Sequence, residues 1–319
     1  MNGDTMRFID PNRVDNIMTW PLAISILKEG HAGEKPRLKD LLFEDAPGRL
    51  LGRAVHLPGI GVGMKVASVF PPNIYATPPK PAEDALFIVI REEDWRIDAL
   101  VAGPPVTRWK TAADSALASS LLSPPDSRNL LCIGAGPIAE ALIEAHVVAR
   151  PSLSQIVIWN RTEDNARKLQ YRLAEKKICV DLANNLAEAV AKADIITSAT
   201  ASCEPLIAGE WVRPGTHVDL VGGYSKATRE SDDDLIRKAS IYVDCYDTTL
   251  DHVGDIATPI ASGIITPNDV GADLFDLVAK PVRRTTGDEI TLFKNGGGAH
   301  LDLMIASYIV KQALRSSKS

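Results

Sequence analysis

The sequence predicts an α/β fold: a Rossmann-type, doubly wound parallel sheet inserted into a smaller α+β domain. Three observations predict it. From residue 129 onward, short β-branched runs alternate with helical stretches, the pattern of parallel strands covered on both faces. The first hundred residues carry strands separated only by turns, as an antiparallel sheet does. A chain of 319 residues exceeds one ordinary domain and suits two.

In chain order, residues 21–29 have helical periodicity. Strands are expected over 50–57, 63–70, 85–91 and 99–102, with the proline-rich stretch 71–81 as a turn or hairpin tip. A helix over 111–122 stops at Ser123-Pro124-Pro125-Asp126. The alternation then begins. Strands fall at 129–133, 155–159, 195–198, 217–221 and 240–243, and helices at 138–148, 163–176 and 186–192. The acidic run Asp232-Asp233-Asp234 opens a further helix, where carboxylates suit the dipole. Residues 298–314 read as one amphipathic helix that can return to the first domain, which makes the parallel unit an insertion. The expected domains are 1–115 plus 290–319, and 116–289.

Composition narrows the function. With 45% hydrophobic and 24% charged residues the chain can bury the core of a two-domain enzyme. A net charge of -6 without a lysine or arginine run argues against nucleic acid or an anionic membrane surface as partner. None of Cys132, Cys179, Cys203 and Cys245 sits in a C-x-x-C pair, so reduced thiols in the cytoplasm are expected. The start, MNGDTMRFIDPNRV, lacks a basic segment followed by an apolar one, and no apolar run approaches the ~20 residues of a membrane helix. No metal is expected: His252 and the nearby Asp247, Asp251 and Asp255 lack a tight ligand spacing.

The motif Gly134-Ala135-Gly136-Pro137-Ile138-Ala139 follows a buried strand and opens a helix. This is G-x-G-x-x-A, the dinucleotide fingerprint. Gly134 permits the tight turn, Gly136 lets the backbone approach a pyrophosphate, and Ala139 lets helix and strand pack closely. Free N–H groups at the helix start then face the phosphates. A glycine turn in an α/β domain without ligand is the alternative. The next strand ends in Asn160-Arg161-Thr162, where an NAD enzyme usually has Asp or Glu for the ribose 2′-OH. Arg161 can pair bidentately with a 2′-phosphate, and Asn160 and Thr162 can add neutral hydrogen bonds, which favours NADP(H). A solvated arginine at a helix start is the alternative. Thr200 and Gly222, at the C-terminal ends of strands, are expected to line the nicotinamide.

At this point the chain resembles the ornithine cyclodeaminase/mu-crystallin family over most of its length. The carriers are residues 110–118 (KTAADSALA), the Gly134–Ala139 loop, Trp159-Asn160-Arg161-Thr162, Val221-Gly222-Gly223 with Arg229-Glu230, and Phe293-Lys294-Asn295-Gly296. The resemblance implies an N-terminal α/β domain for substrate binding and dimerisation, an inserted Rossmann domain, and a homodimer. It implies a basic clamp on a substrate carboxylate, matched here by Arg37, Lys65 and Lys110, and a threonine near the cofactor phosphates, matched by Thr111. Lys65 stands in an otherwise apolar strand, where a lysine is costly to bury without an anion. Lys110 replaces the family's arginine, which keeps the charge and loses one bidentate fork. Asp114 is expected to be a helix-surface or capping group.

Cyclodeaminases carry an aspartate directly after V-G-G, and here that position is Tyr224. Cyclodeamination needs a base to free the δ-amine, and a tyrosine with a pKa near ~10 is a poor one. Reduction of a preformed cyclic imine needs only hydride and a protonated ring nitrogen. The residues therefore favour the branch of Δ1-pyrroline-2-carboxylate (ketimine) reductases in proline metabolism. The expected activity is NADPH-dependent reduction of small cyclic imino acids, with Tyr224 or an ordered water managing the ring proton. Tyr224 as a plain pocket wall is the alternative. His56, and after it His300, are further candidates for the proton, although a structural or exposed histidine is the simpler reading of His56. Ornithine cyclodeaminase, a cofactor-retaining small-ligand binder and NADP-dependent alanine dehydrogenase stand as rivals.

Overall fold

A computed structural model of the chain describes residues 7–223, 225–280, 284 and 286–315. The chain divides into two compact units, Met1–Lys110 with Gly298–Ser319, and Thr111–Gly297.

The first unit runs β1 (Phe8–Ile9), α1 (Pro11–Ile17), α2 (Trp20–His31), β2 (Arg37–Asp45), β3 (Gly48–Leu57), β4 (Gly61–Val69), β5 (Glu83–Ile90) and β6 (Ile97–Ala102). Its sheet has the order β1-β6-β5-β4-β3-β2, antiparallel throughout except that β1 runs parallel to β6. The C-terminal helix, Ala299–Arg315, lies on β3 to β6 and against α2. Gly30 makes that close approach possible, since a Cβ there would stand 2.4 Å from the Met304 sulfur. The core is Leu27, Leu57, Phe87, Val101, Leu301 and Ile305, all buried. Three elements escape sequence periodicity, the first of them β1, which has only two residues. Helix α1 is short and owes its start to Asp10, whose side chain accepts from Arg13 N, and to Pro11 in the first turn. Strand β2 is an edge, exposed along almost its whole length, so it carries no alternation.

Helix α3 (Gly103–Leu122) begins eight residues before the helix expected at 111, because Pro104 and Pro105 sit in its first turn, where proline is tolerated. The seam between the units falls inside it, after Lys110. Asp114, expected on a helix surface, is fully buried: Ala112, Ala113, Ser115, Ala116, Leu117 and Ala118 are buried too, so this stretch has no solvent face.

The second unit continues with β7 (Asn129–Ile133), α4 (Pro137–Ala149), β8 (Gln155–Trp159), α5 (Glu163–Glu175), β9 (Asp181–Leu182), α6 (Leu186–Lys192), β10 (Ile195–Ser198) and β11 (His217–Leu220). It closes with α7 (Asp233–Lys238), β12 (Ser240–Val243), α8 (Tyr246–Thr249), α9 (Gly254–Ala261), β13 (Val270–Asp273), α10 (Leu274–Ala279) and β14 (Thr291–Lys294). Eight parallel strands take the order β13-β12-β14-β11-β10-β7-β8-β9. Leu131, Ile133, Ile196, Val218, Leu220 and Leu292 fill one core, and Leu130, Cys132, Ile143, Ile158 and Leu169 another. The acidic run does open a helix: Asp232 caps α7 by accepting from Leu235 N at 2.9 Å. Strand β14 is the chief departure. It inserts between β11 and β12, so Thr291–Lys294 belong to the parallel sheet, and residues 290–297 to the second unit and not to the first. Four residues flanked by a helix signal give periodicity little to detect.

All four cysteines are free; Cys132 and Cys245 are buried, while Cys179 and Cys203 are exposed. No described helix is long and apolar enough to cross a membrane.

Candidate active site

The strand order reverses between β7 and β10: β8 and β9 lie on one side of β7, and β10 and β11 on the other. Open parallel sheets bind ligands at the carboxyl ends of strands at such a switch point. The Gly134 loop leaves β7 there, and Thr200 leaves β10 there.

Gly134 has φ +116°, a conformation that side chains rarely adopt, and a Cβ would meet Ala199 O at 2.6 Å. Its N–H donates to Trp159 O at 2.9 Å, which ties the loop to the end of β8. Ala135 follows, and Gly136 is the N-cap of α4 with Pro137 in the first turn and Ile138 next. Gly136 and Pro137 are exposed, and a Cβ on Gly136 would meet nothing within 4 Å. Open space above a helix start, with unpaired N–H groups, fits a dinucleotide pyrophosphate.

At the end of β8, the Asn160 side-chain amide donates to Thr162 O at 2.7 Å, and Thr162 is the N-cap of α5. Arg161 is exposed and has no ion pair among the described residues. The nearby Glu163 is taken by Arg167 at 2.5 Å within α5. A free guanidinium at this position suits a phosphate on the adenosine ribose.

Thr200 and Gly222 meet: a Cβ on Gly222 would stand 1.9 Å from Thr200 O. Both backbones donate to one carboxylate, Glu230, at 2.7 Å from Thr200 N and 2.6 Å from Gly222 N. Thr111 is buried in α3, and its carbonyl accepts from the Asn295 side chain at 3.0 Å. Asn295 also donates to Ser115 Oγ at 3.1 Å, which fastens the end of β14 to α3. Just before it, Lys294 pairs with Asp255 at 3.1 Å, both fully buried. Sequence reasoning assigned no role to Glu230, Lys294 or Asn295, although the motifs carrying them had been singled out. Tyr224 lies outside the described residues.

The first unit brings two of the three expected clamp residues together. Lys65 Nζ on β4 donates to Thr107 Oγ1 at 2.8 Å and to Asp302 Oδ1 at 3.0 Å. Lys110 Nζ, one turn of α3 beyond Thr107, lies 3.8 Å from Asp302 Oδ2. Asp302, on the C-terminal helix, is therefore the anion that the partly buried Lys65 required, and sequence reasoning missed it. Arg53 stands directly across from Lys65 on β3, hence on the same face of the sheet, with its Nε 2.9 Å from Asp40. Arg37 is different. It is exposed and pairs with His56, three residues from Arg53, so strand alternation puts it on the other face. His56 itself is held by Glu92 at 3.0 Å, and that hydrogen bond lowers the Glu92 pKa. His300 is buried near Lys110; burial first, and then the lysine charge, bring its pKa down to about 3, so the imidazole is neutral at ordinary pH.

Comparison with known proteins identifies the family. The model of the ornithine cyclodeaminase/mu-crystallin family matches residues 22–317. The chain is 42% identical over 295 residues to a Δ1-pyrroline-2-carboxylate reductase of Paracoccus denitrificans, covering 92% of this chain and 93% of that one. It is 33% identical to the ketimine reductase mu-crystallin of Mus musculus, over 72% and 69% of the two chains. Among solved structures, the Thermococcus litoralis Δ1-pyrroline-2-carboxylate reductase in complex with NADH and L-proline superposes with a TM-score of 0.91 at 26% identity, over 98% of each chain. An archaeal alanine dehydrogenase with bound NAD shares the fold, with a TM-score of 0.91 at 24% identity over 98% and 97%. This chain belongs to the ornithine cyclodeaminase/mu-crystallin family.

Proposed function

We propose that this protein is an NADPH-dependent reductase of small cyclic imino acids, Δ1-pyrroline-2-carboxylate or Δ1-piperideine-2-carboxylate, giving L-proline or L-pipecolate. The observation that carries this reading is the basic cluster around the buried Asp302: Lys65 Nζ lies 3.0 Å from it and Lys110 Nζ 3.8 Å. The Lys65 ammonium stays partly accessible beside Asp302, and a substrate carboxylate can approach it there. Support comes from the reductases of that name to which the chain is similar over most of its length. A nicotinamide cofactor also binds in related structures; the preference for NADP(H) rests on Arg161.

In this reading Gly134, Ala135, Gly136, Pro137 and Ile138 hold the pyrophosphate, and Thr111 assists at the phosphates. Asn160, Arg161 and Thr162 take the ribose phosphate, and Thr200 and Gly222 line the nicotinamide. Lys65 and Lys110 bind and orient the substrate carboxylate, and a bound nicotinamide would supply the hydride to C2. Arg37 belongs to the clamp only through resemblance, and Arg53 is the cation on the Lys65 face. Tyr224 or a water keeps the ring nitrogen protonated, so that hydride addition to the C=N carbon yields the neutral-ring amine without a further proton. With tyrosine in place of the aspartate of cyclodeaminases, no carboxylate is available at 224 to free a δ-amine.

The test is oxidation of NADPH and NADH against cyclic imino acids, pyruvate with ammonia, and L-ornithine. NADPH consumption with a cyclic imine is expected. Ammonia release from ornithine would overturn the reading in favour of a cyclodeaminase, and absence of any turnover in favour of a binding protein. Lys65→Met should cost about 10–100-fold in kcat/KM, the worth of one charge-assisted hydrogen bond, while NADPH affinity holds.

We extend the proposal to a cytoplasmic homodimer. The support is β2, an edge strand that exposes Leu41, Leu42 and Phe43. Sedimentation at twice the chain mass of 34.4 kDa is expected; a monomer at micromolar concentration would refute it.

A further inference from the structure

Glu230 is fully buried, yet the chemistry proposed above does not use it. Its Oε1 accepts from Ser198 Oγ at 2.6 Å, Thr200 N at 2.7 Å and Thr200 Oγ1 at 2.9 Å. Its Oε2 accepts from Gly222 N at 2.6 Å. One carboxylate thus collects four donors from the ends of two adjacent strands, β10 and β11. Its own backbone is fixed as well. Glu230 N donates to Asp255 Oδ1 at 2.8 Å, and Glu230 O accepts from Leu206 N and Ile207 N, both at 2.9 Å. A carboxylate is acceptor-only, at both oxygens, while ionised; a protonated one carries an O–H donor.

We propose that Glu230 is a positioning residue: its ionised side chain locks the Thr200 and Gly222 segments into one surface, and the nicotinamide end of the cofactor binds on that preset surface. This rests on the reading that those two residues line the nicotinamide. Four charge-assisted donors on one anion make the surface rigid before the cofactor arrives, so no ordering cost falls on binding.

The groups around Glu230 make the lock sensitive to protons. Lys294 on β14 favours its charge, as do the Ser198 and Thr200 donors on β10 and its exit; Asp255 on α9 opposes it, and Cys132 on β7 feels its field. Burial dominates and brings the carboxyl up to about 7. Protonation turns one acceptor into a donor, and either Gly222 N or the Thr200 pair then loses its partner.

The test is fluorescence titration of NADH and of NADPH into the whole protein between about pH 5.5 and 8.5. Wild type should bind both cofactors about tenfold more weakly at pH 6 than at pH 8, with a common midpoint near 7. The use of NADH removes any contribution from a titrating 2′-phosphate. The isosteric Glu230→Gln, which offers one acceptor and one donor, should bind NADH at least about tenfold more weakly at pH 8 and lose the pH step. A wild-type NADH profile flat through pH 7 would overturn the proposal, as would Glu230→Gln binding with the wild-type affinity and step. If that variant fails to fold, the wild-type profile decides alone. Binding needs no imine, so a normal step without turnover sinks only the substrate assignment; binding of neither cofactor sinks both.

Discussion

Arg161→Asp should raise the Kd for NADPH about 100–10,000-fold and leave NADH within about threefold. The wild-type guanidinium is exposed at the N-terminal edge of α5 and has no competing acid among the described residues, since Glu163 is occupied by Arg167. Two parallel charge-assisted hydrogen bonds to a phosphate contribute about 1.5–3 kcal/mol. The aspartate adds repulsion of a group carrying nearly two negative charges, of similar size at a partly solvated site. With NADH the same carboxylate meets a ribose hydroxyl, to which it can accept a hydrogen bond. Fluorescence titration with both cofactors measures the two values directly. Equal loss for both would mean that residue 161 does not meet the adenosine ribose.

Lys294→Met should destabilise the parallel unit by about 3–5 kcal/mol, the usual cost of leaving one partner of a buried ion pair uncompensated. Lys294 and Asp255 are both fully buried at 3.1 Å. Asp255 keeps the donors Glu230 N and Ser231 N but loses its cation. The melting temperature should fall by roughly 6–15 °C. Asp255→Asn in the same chain should recover at least half of that, because the amide keeps an acceptor for Glu230 N and carries no charge. A melting temperature unchanged within about 2 °C would show that the pair contributes nothing net. The substitution has a second effect on Glu230, whose ionised form Lys294 favours. Its pKa should move further above 7, so the variant should lose cofactor affinity at a higher pH than wild type.

Much of this was legible in the sequence, for physical reasons that differ by element. The strands Asn129–Ile133, Ile195–Ser198 and Ser240–Val243 are buried on both faces, and continuous apolar runs announce that. The Gly134 turn was legible because its backbone excludes other residues. What stayed hidden depends on partners distant in sequence. Asp302 looks like any polar residue of an amphipathic helix until β4 brings Lys65 to it across 237 positions. Arg37 looked like part of the clamp because residue type and order carry no register; the pairing with His56 turns it away from the Lys65 face. Glu230 sat in a motif without an assigned role, since four of its donors come from segments up to 32 residues earlier.

The place of β14 has a consequence for biosynthesis. β12 and β13 precede it in the chain, yet among the described residues their only ladder to the rest of the sheet runs through it. The six-stranded sheet likewise waits for the helix Ala299–Arg315 to cover it. The second unit cannot close before β14 has left the ribosome, nor the first before the helix Ala299–Arg315 has. Until then the nascent chain exposes open sheet edges and apolar faces, which is the surface that holdase chaperones bind.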